Sequence, residues 1–448
     1  MSQLSTQPYK GTRDFYPVDM RVRNWMFSRV RRTLKAYGYE EYDGPMLEPF
    51  ELYAAKTSEE IVNEQLYWLV DRGERKMAVR PEMTPTLARM VAQKQNELPR
   101  PIRWFSIPNL WRYERPQRGR LREHWQLNVD VFGGDALAED LEICQVIVAL
   151  MEGFGAVSGF EVRLNHRGVT DYVFRELLKL TDAQIPVIGR LLDAAAKMGM
   201  DAFGENLAKE GMSASQIELL KSLLQKDAAD RLRKQLGDNP HFAHLARLLQ
   251  RLDELGIGPL FRYDPSIMRG FMYYTGMVLE VYDLHPDNNR ALFGGGRYDN
   301  LVGMFGGKPL PGVGFGMGDV TLRNFLEINK LLPNLSAPNG LYVAHLDEPQ
   351  LLDAQKIALQ LRKLFANASI EVPVLTALSP DKPKKIFATA EKLGARTVVF
   401  VGGDDVKAGR YPMKDMVTGE QTTGVPGELA IKYMTVAMSA AAGAIHGP

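Results

Sequence analysis

The chain has 448 residues, of which 45% are apolar and 24% charged, with 55 basic and 54 acidic side chains giving a formal net charge of +1. That length is more than one ordinary core fills, so two or three domains are expected, and the composition excludes wholesale disorder. The balanced charge excludes a histone-like polycation, so any contact with nucleic acid has to come from local patches.

The opening segment, MSQLSTQPYKGTRDFYP, lacks a continuous apolar stretch, so it does not read as a secretory signal and the cytoplasm is the expected compartment. Residues 20–37 read as a helix with Trp25, Met26, Val30, Leu34 and Tyr37 on its apolar stripe, stopped by Gly38. Residues around Pro45 look extended. Residues 67–80 read as a hairpin with turn chemistry at Asp71 to Gly73. Strands are expected at 102–106 and 125–133, joined by a very polar loop. A helix at 136–154 follows, and within it Cys144 reads as a small core residue; a single cysteine excludes an internal disulfide. The seven histidines show no ligand spacing, so no protein-borne metal cluster is expected.

After a strand at 160–165, the stretch from about 170 to 255 turns Leu-, Ala-, Lys- and Arg-rich at helical spacing and reads as a helical insertion. Strand and glycine signals return at 271–282 and 292–318. LPNLSAPNG at 332–340 reads as a linker. Beyond it, strands near 341–345, 371–375 and 397–401 alternate with helices near 349–365 and 381–393, which predicts a small α/β domain with a mostly parallel sheet. Residues 438–448 read as a frayed tail. No stretch reaches about 18 consecutive apolar residues, so no membrane span is expected.

The most informative segment runs from Arg103 to Gly134, RWFSIPNLWRYERPQRGRLREHWQLNVDVFGG. Two apolar-patterned strands flank a loop holding Arg115, Arg118, Arg120 and Arg122. The entering strand ends in Arg112, Tyr113 and Glu114, and the returning strand carries Gln126 and Asp130 on one face by period two. A guanidinium at a strand end clamps phosphate or carboxylate through its fork of donors; the bland alternative is an ordinary charged hairpin. In Arg80-Pro81-Glu82-Met83-Thr84, a carboxylate and a hydroxyl just after a strand suit an α-ammonium group, although Thr84-Pro85 taken alone is a helix N-cap signal. Arg269-Gly-Phe-Met272-Tyr273-Tyr274-Thr-Gly276 offers a cation and paired hydroxyls, or simply a strand with aromatic packing. The glycines of FGGGRYDNL at 293–301 permit close backbone approach or a tight turn. The alternating glycines at 312–318 are not a dinucleotide loop, because the spacing is wrong and no βαβ unit surrounds them.

Taken in order, these segments resemble the class II aminoacyl-tRNA synthetases, and among them the histidyl-tRNA synthetase family, along almost the whole chain. KGTRDFYP resembles that family's start. The helix and strand ending at Pro45 resemble motif 1, the dimer-forming element. Arg103 to Gly134 resembles motif 2, RGFMYYTG and GGGRYD resemble the two histidine-specific segments, and 311–322 resembles motif 3. The last hundred residues, with VVFVGGDDVKAG and the overlapping VKAGRYPMKDMVTGEQ, resemble the anticodon-binding domain.

The resemblance implies an α+β fold. It consists of a mostly antiparallel class II sheet flanked by helices over residues 1–335, with the insertion at about 170–255, and an α/β anticodon-binding domain at 338–437. It implies a homodimer that joins L-histidine to tRNA(His) through a histidyl-adenylate made from ATP, with Mg2+ bridging the ATP phosphates. Arg112 and Arg269 are the implied catalytic cations. Glu82, Met83, Thr84, Arg112, Gln126, Asp130, Arg269, Tyr273 and Tyr274 are implied at histidine, and Arg112, Glu114, Arg120, Gln126 and Arg269 at ATP. The arginine loop implies contact with the tRNA acceptor end.

The chain departs from the family at three points. Asp130 stands where Glu is common, and Met272 where Asp is common. Motif 3 usually ends Gly-x-x-Arg, whereas this chain has Thr321 at that place, with Arg323 two residues on and roughly 200° around a helix. Another cation, expected in the motif 2 loop, must then meet the γ-phosphate. The motif 3 departure keeps open a rival reading as a non-catalytic paralogue such as the regulatory subunit of ATP phosphoribosyltransferase. That subunit lacks the anticodon domain expected here at 338–437. A pure RNA-binding module is disfavoured by the near-neutral charge, and a synthetase for another amino acid by RGFMYYTG and GGGRYD.

Overall fold

The computed structural model describes residues 4–54, 64–117, 119–225, 228–267, 274–288, 291–335 and 339–445. They divide into two compact units, Met1–Leu332 and Pro333–Pro448.

The first unit carries the strands β1 (Glu40–Glu41), β2 (Leu47–Pro49), β3 (Trp68–Val70), β4 (Lys76–Val79), β5 (Ile102–Ser106), β6 (Asn109–Trp111), β7 (Glu123–Phe132), β8 (Phe160–His166), β9 (Phe261–Tyr263), β10 (Met277–Asp283), β11 (Ala291–Arg297) and β12 (Gly312–Gly318). Among the described residues they form a nine-stranded sheet in the order β1-β5-β7-β12-β11-β10-β8-β9, with β6 paired to β7, and a three-stranded sheet β2-β4-β3. Pairing in the large sheet is antiparallel except at its two edges, β1 with β5 and β8 with β9. The hairpin expected at 67–80 is β3 and β4.

Period two divides the large sheet into unlike faces. Phe105, Leu127, Val129, Val131, Phe293, Phe315, Met317, Leu279, Val162 and Leu164 project to one side and join a single buried cluster. Helices cover that side. Pro17–Ala36 begins with Pro17, carries Asp19 in its first turn and buries Met26, Val30 and Leu34, four residues apart, as a one-faced helix must. Gly38 then takes φ +77° and turns the chain back. Ala136–Gly153 is capped by Asp135, whose side chain accepts from the Leu137 and Ala138 amides at 3.1 Å each. It buries residues around most of its circumference, Cys144 included, because it packs against both Pro17–Ala36 and a helix from the insertion.

The region expected as an insertion is helical: Arg167–Tyr172, Val173–Leu177, Gln184–Met198, Met200–Lys209, Ala214–Ser222, Ala228–Leu236 and Pro240–Glu254 follow one another before β9. Its buried leucines and Phe203 extend the core of the sheet.

The second unit contains β13 (Leu341–His345), β14 (Val374–Thr376), β15 (Thr397–Val401), β16 (Tyr411–Asp415) and β17 (Gln421–Gly424), in the order β14-β13-β15-β16-β17. The mostly parallel sheet expected from the sequence is in fact mixed. β14, β13 and β15 are parallel, while β15-β16 and β16-β17 are antiparallel. For β16 and β17 the reason is local: residues 416–420 make a short connection, and a short connection can only return antiparallel. Helices Leu351–Asn367 and Pro426–Ile445 share one apolar cluster of this unit, and Pro383–Lys392 belongs to another. Pro426–Ile445 runs through most of the segment expected as a tail.

Candidate active site

The other face of the large sheet is polar. Along β7 it carries His124, Gln126, Asn128 and Asp130, two residues apart. Across the pairing with β12 the last three meet glycine: Gly318 opposes Gln126, Gly316 opposes Asn128 and Gly314 opposes Asp130. The glycines give the β7 side chains room to lie flat over the neighbouring backbone. A Cβ on Gly316 would sit 2.0 Å from Nε2 of Gln126, and one on Gly314 2.2 Å from Oδ1 of Asp130. One strand further, Gly296 opposes Gly314 and Gly294 opposes Gly316. A Cβ on Gly296 would fall 2.8 Å from the ring of Tyr274. The two glycine-rich segments, the first of which the sequence marks for close backbone approach or a tight turn, therefore make the side-chain-free floor of a trough. Polar groups from β7 line one side and Tyr274 the other.

Asp130 is 3% exposed. Its Oδ1 accepts a hydrogen bond from the Tyr298 hydroxyl, while Oδ2 has no hydrogen-bond partner among the described residues. Burial pushes its carboxyl up to about 7, opposed by the Tyr298 hydrogen bond. Tyr298 reaches this position from just past β11, where its amide donates to the Gly312 carbonyl at 2.8 Å and its ring meets Phe132 edge-on at 5.8 Å.

Arg112 follows β6. Its Nε donates to the Pro81 carbonyl at 2.9 Å, and Nη1 stands 4.0 Å from Oε1 of Glu114. The structure thus brings Arg112 to the segment Pro81 to Thr84, which joins β4 to helix Thr84–Lys94. Met83 is fully buried there, with Glu82 and Thr84 half-buried. The N-cap signal read at Thr84 is not realised: Thr84 is the first helical residue, and no side chain caps this end. Arg80 is a structural group, pairing Asp43 at 2.7 Å and donating to the carbonyls of Gly44 and Asn109. His124 shares the face with Gln126. Burial first, then Arg112 and Arg13, pushes its imidazole down to about 3, so it is neutral at physiological pH.

The arginine loop turns tightly between Gln117 and Arg120, which exchange backbone hydrogen bonds. Arg115 and Arg120 are exposed. Arg122 is not available as a mobile cation: it donates to the Tyr9 hydroxyl at 2.6 Å and lies 4.0 Å over the Tyr113 ring. Residues 9–15 form a strap over this region. The Gly11 carbonyl accepts from the amides of Arg122 and Glu123, and Gly11 itself needs φ +90° with Arg122 carbons where a Cβ would stand. Arg13 pairs Asp319 at 2.7 Å, and Asp319 in turn accepts from the Trp125 amide. Thr321, at the place of the missing motif 3 arginine, bonds the Gly318 carbonyl. Arg323 is engaged with Glu327 at 2.8 Å and Asp19 at 3.4 Å.

Arg269 and Tyr273 lie outside the described residues, as do Arg118 and Met272. The sequence reading missed His124, Asn128, Tyr298 and the Arg13–Asp319 pair. The period that selects Gln126 and Asp130 also selects His124 and Asn128. Tyr298 lies in GGGRYD, and Arg13 and Asp319 in KGTRDFYP and 311–322, but no local pattern marks the pairings, which join residues far apart in the chain. Among the described residues no group of three acidic, histidine or cysteine side chains is arranged to hold a metal ion.

Comparison with known proteins agrees with the segments named above. A family profile described as histidyl-tRNA synthetase matches residues 11–320. The chain is 43% identical over 427 residues to a histidine–tRNA ligase of Leptospira biflexa, covering 94% of this chain and 95% of the relative. It is 36% identical over 427 residues to a chloroplastic/mitochondrial histidine–tRNA ligase of Arabidopsis thaliana, covering 94% and 85%. A crystal structure of histidyl-tRNA synthetase from Nostoc superposes with a TM-score of 0.83 at 25% identity, covering 97% of this chain and all of the other.

Proposed function

The chain belongs to the histidyl-tRNA synthetase family, and from that premise we propose that the glycine-floored trough of its large sheet is where histidine is activated. The protein is a histidine–tRNA ligase that uses ATP. The observation that carries the assignment to the trough is the convergence of Asp130, Gln126, Tyr274 and the Gly314/Gly316 floor, beside Arg112 and its partner segment Pro81 to Thr84.

The chemistry has two steps. An oxygen of the histidine carboxylate bonds to the α-phosphorus of ATP and pyrophosphate leaves. A ribose hydroxyl of the tRNA 3′-adenosine then bonds to the acyl carbon and AMP leaves. Both steps gather negative charge, which fixed cations stabilise. Arg112 bridges the α-phosphate and the carboxylate, with Arg269 as the second catalytic cation. Glu82 and Thr84 hold the α-ammonium beside Met83. Asp130 and Tyr274 meet the imidazole, with Gln126 and Tyr273 completing the histidine site. The family's glutamate is here an aspartate, and the missing side chains at Gly314 and Gly296 leave room for the Asp130 carboxylate and the Tyr274 ring that flank the imidazole.

ATP is taken as its magnesium complex, the ion held by the phosphates rather than by a protein cage. Glu114 and Gln126 face the nucleotide. Because Arg323 is tied to Glu327 and Asp19 and Arg122 to Tyr9 and Tyr113, the γ-phosphate falls to an exposed cation of the motif 2 loop, Arg120 or Arg115.

The same loop approaches the acceptor end of tRNA(His), the insertion clasps its stem, and the second unit contacts anticodon bases by stacking and edge hydrogen bonds. A homodimer is supported by the motif 1 resemblance and by the apolar exposure of Met46, Leu47, Trp68, Leu69 and Val70 on the small sheet. A cytoplasmic location is the simplest assignment. Among the described residues no helix is long and apolar enough to cross a membrane.

Histidine-dependent ATP–pyrophosphate exchange tests the trough, with the other nineteen amino acids as controls. Exchange with histidine alone is expected in the native chain, together with loss on Arg112→Ala. Retention of exchange by a folded Arg112→Ala variant would remove the trough from the reaction.

A further inference from the structure

We propose that Tyr298 is a positioning residue for histidine selection: it occupies one oxygen of Asp130 so that the carboxylate presents a single acceptor to the imidazole. The inference rests on the reading of Asp130 as the imidazole's partner.

The geometry is specific. The Tyr298 hydroxyl donates to Oδ1 of Asp130, and Oδ2 is buried without a hydrogen-bond partner among the described residues. The carboxylate cannot easily rotate away. Gly314 lies beneath Oδ1, and Asp130 sits mid-strand between the registers with Trp104 and Gly314. Tyr298 is equally fixed. It is 3% exposed, its amide is bonded to Gly312, and it packs in a cluster with Leu87, Phe132, Leu301, Val302 and Leu310. Its hydroxyl is therefore delivered by packing, not by a mobile side chain.

A carboxylate with both oxygens open can accept from either ring nitrogen, from water or from an amide side chain. With Oδ1 filled, one acceptor remains, in one direction. The donor also favours the ionised carboxylate over the acid, against the effect of burial. That matters because a protonated carboxyl would donate at this place instead of accepting. Tyr274 faces Asp130 across the glycine floor, and the phenols of Tyr42 and Tyr39 lie nearby, both held neutral by burial and by nearby carboxylates, with Asp130 among them. Among the described residues no cation offsets the burial of the Asp130 carboxylate.

The test is the pH dependence of the KM for histidine in pyrophosphate exchange, measured on Tyr298→Phe, Asp130→Asn and the double variant, with the KM for ATP alongside. Without the hydroxyl, Asp130 holds its proton to higher pH. The KM for histidine should then rise about fivefold at pH 7, and the pH below which it climbs should move up by about one unit, while the KM for ATP stays within about twofold. In the Asp130→Asn background, Tyr298→Phe should add less than about twofold, because its effect passes through the carboxylate. An unchanged pH profile, or independent multiplication of the two effects, would overturn the positioning role. An Asp130→Asn variant with native KM for histidine would instead overturn the reading of Asp130 itself. Should Tyr298→Phe fail to fold, difluorotyrosine at position 298 keeps the shape and strengthens the donor. It should move the profile down in pH, and no movement would count against the proposal.

Discussion

Replacing Asp130 with Asn should make the unliganded protein more stable, and more so as pH rises. The unfolded carboxyl titrates near its ordinary value of 3.8, while burial in the folded protein pushes it up to about 7. Between those values the folded chain keeps a proton that the unfolded chain releases, so stability present at low pH is lost as pH climbs through this window. A rise from 3.8 to about 7 corresponds to a ceiling of about 4 kcal/mol at pH 8. Somewhat under half of that is already lost at pH 5, so the advantage of Asn should grow by roughly 2 to 3 kcal/mol between pH 5 and pH 8. Asparagine has nearly the same shape, still accepts from Tyr298 and carries no titrating proton. Urea unfolding followed by tryptophan fluorescence, at four pH values without histidine or ATP, measures this; Trp104 lies opposite Asp130 on β5. An Asn variant less stable than the native chain at pH 8, or an advantage independent of pH, would show that the carboxylate is ionised and well supported, and would refute the reasoning. The same variant should bind histidine poorly, so the native residue gives up stability for recognition.

Three further outcomes follow from the site. Gly314→Ala should abolish histidine-dependent exchange or prevent folding, since the new methyl would lie 2.2 Å from Oδ1 of Asp130 and 2.5 Å from the Val129 carbonyl; a folded, active variant detected by circular dichroism and exchange would disprove the floor. Arg323→Ala should leave the KM for ATP within about twofold and cost less than about 1 kcal/mol in a melt, because its partners Glu327 and Asp19 are half-exposed. A collapse in ATP affinity would return Arg323 to the nucleotide. Truncation after residue 335 should spare adenylate formation and weaken tRNA charging; loss of exchange would mean the second unit supports the fold or the dimer.

Much of this was legible in the chain because it depends on local periodicity. Period two in EHWQLNVDVF places Gln126 and Asp130 together, and helical spacing marks the insertion. What escaped depends on contacts between distant residues. The Tyr298–Asp130 bond spans 168 positions and the Arg13–Asp319 pair 306, and nothing near either residue announces its partner. The alternating glycines were visible but not interpretable alone, since a glycine run reads equally as loop or strand until the side chains lying across it are known. The mixed sheet of the second unit was misjudged because its parallel half has the stronger βα alternation, whereas β16 and β17 follow one another with no helix between them.

The buried charges beneath β11 bear on how the protein opens. Arg297, the last residue of that strand, bonds Glu139 at 2.9 Å and Asp140 at 2.7 Å. Asp140 also holds His244 of helix Pro240–Glu254 at 2.8 Å, and His241 of the same helix stacks on His166 of β8 at 5.0 Å. Peeling that helix away would break the Asp140–His244 contact and the His166–His241 stack, while Arg297 keeps both Glu139 and Asp140. Amide hydrogen exchange should therefore find Pro240–Glu254 better protected than the helices between 184 and 236, which lack such polar ties to the sheet and its covering helix. In that sense the last helix of the insertion belongs, energetically, to the sheet that carries the trough.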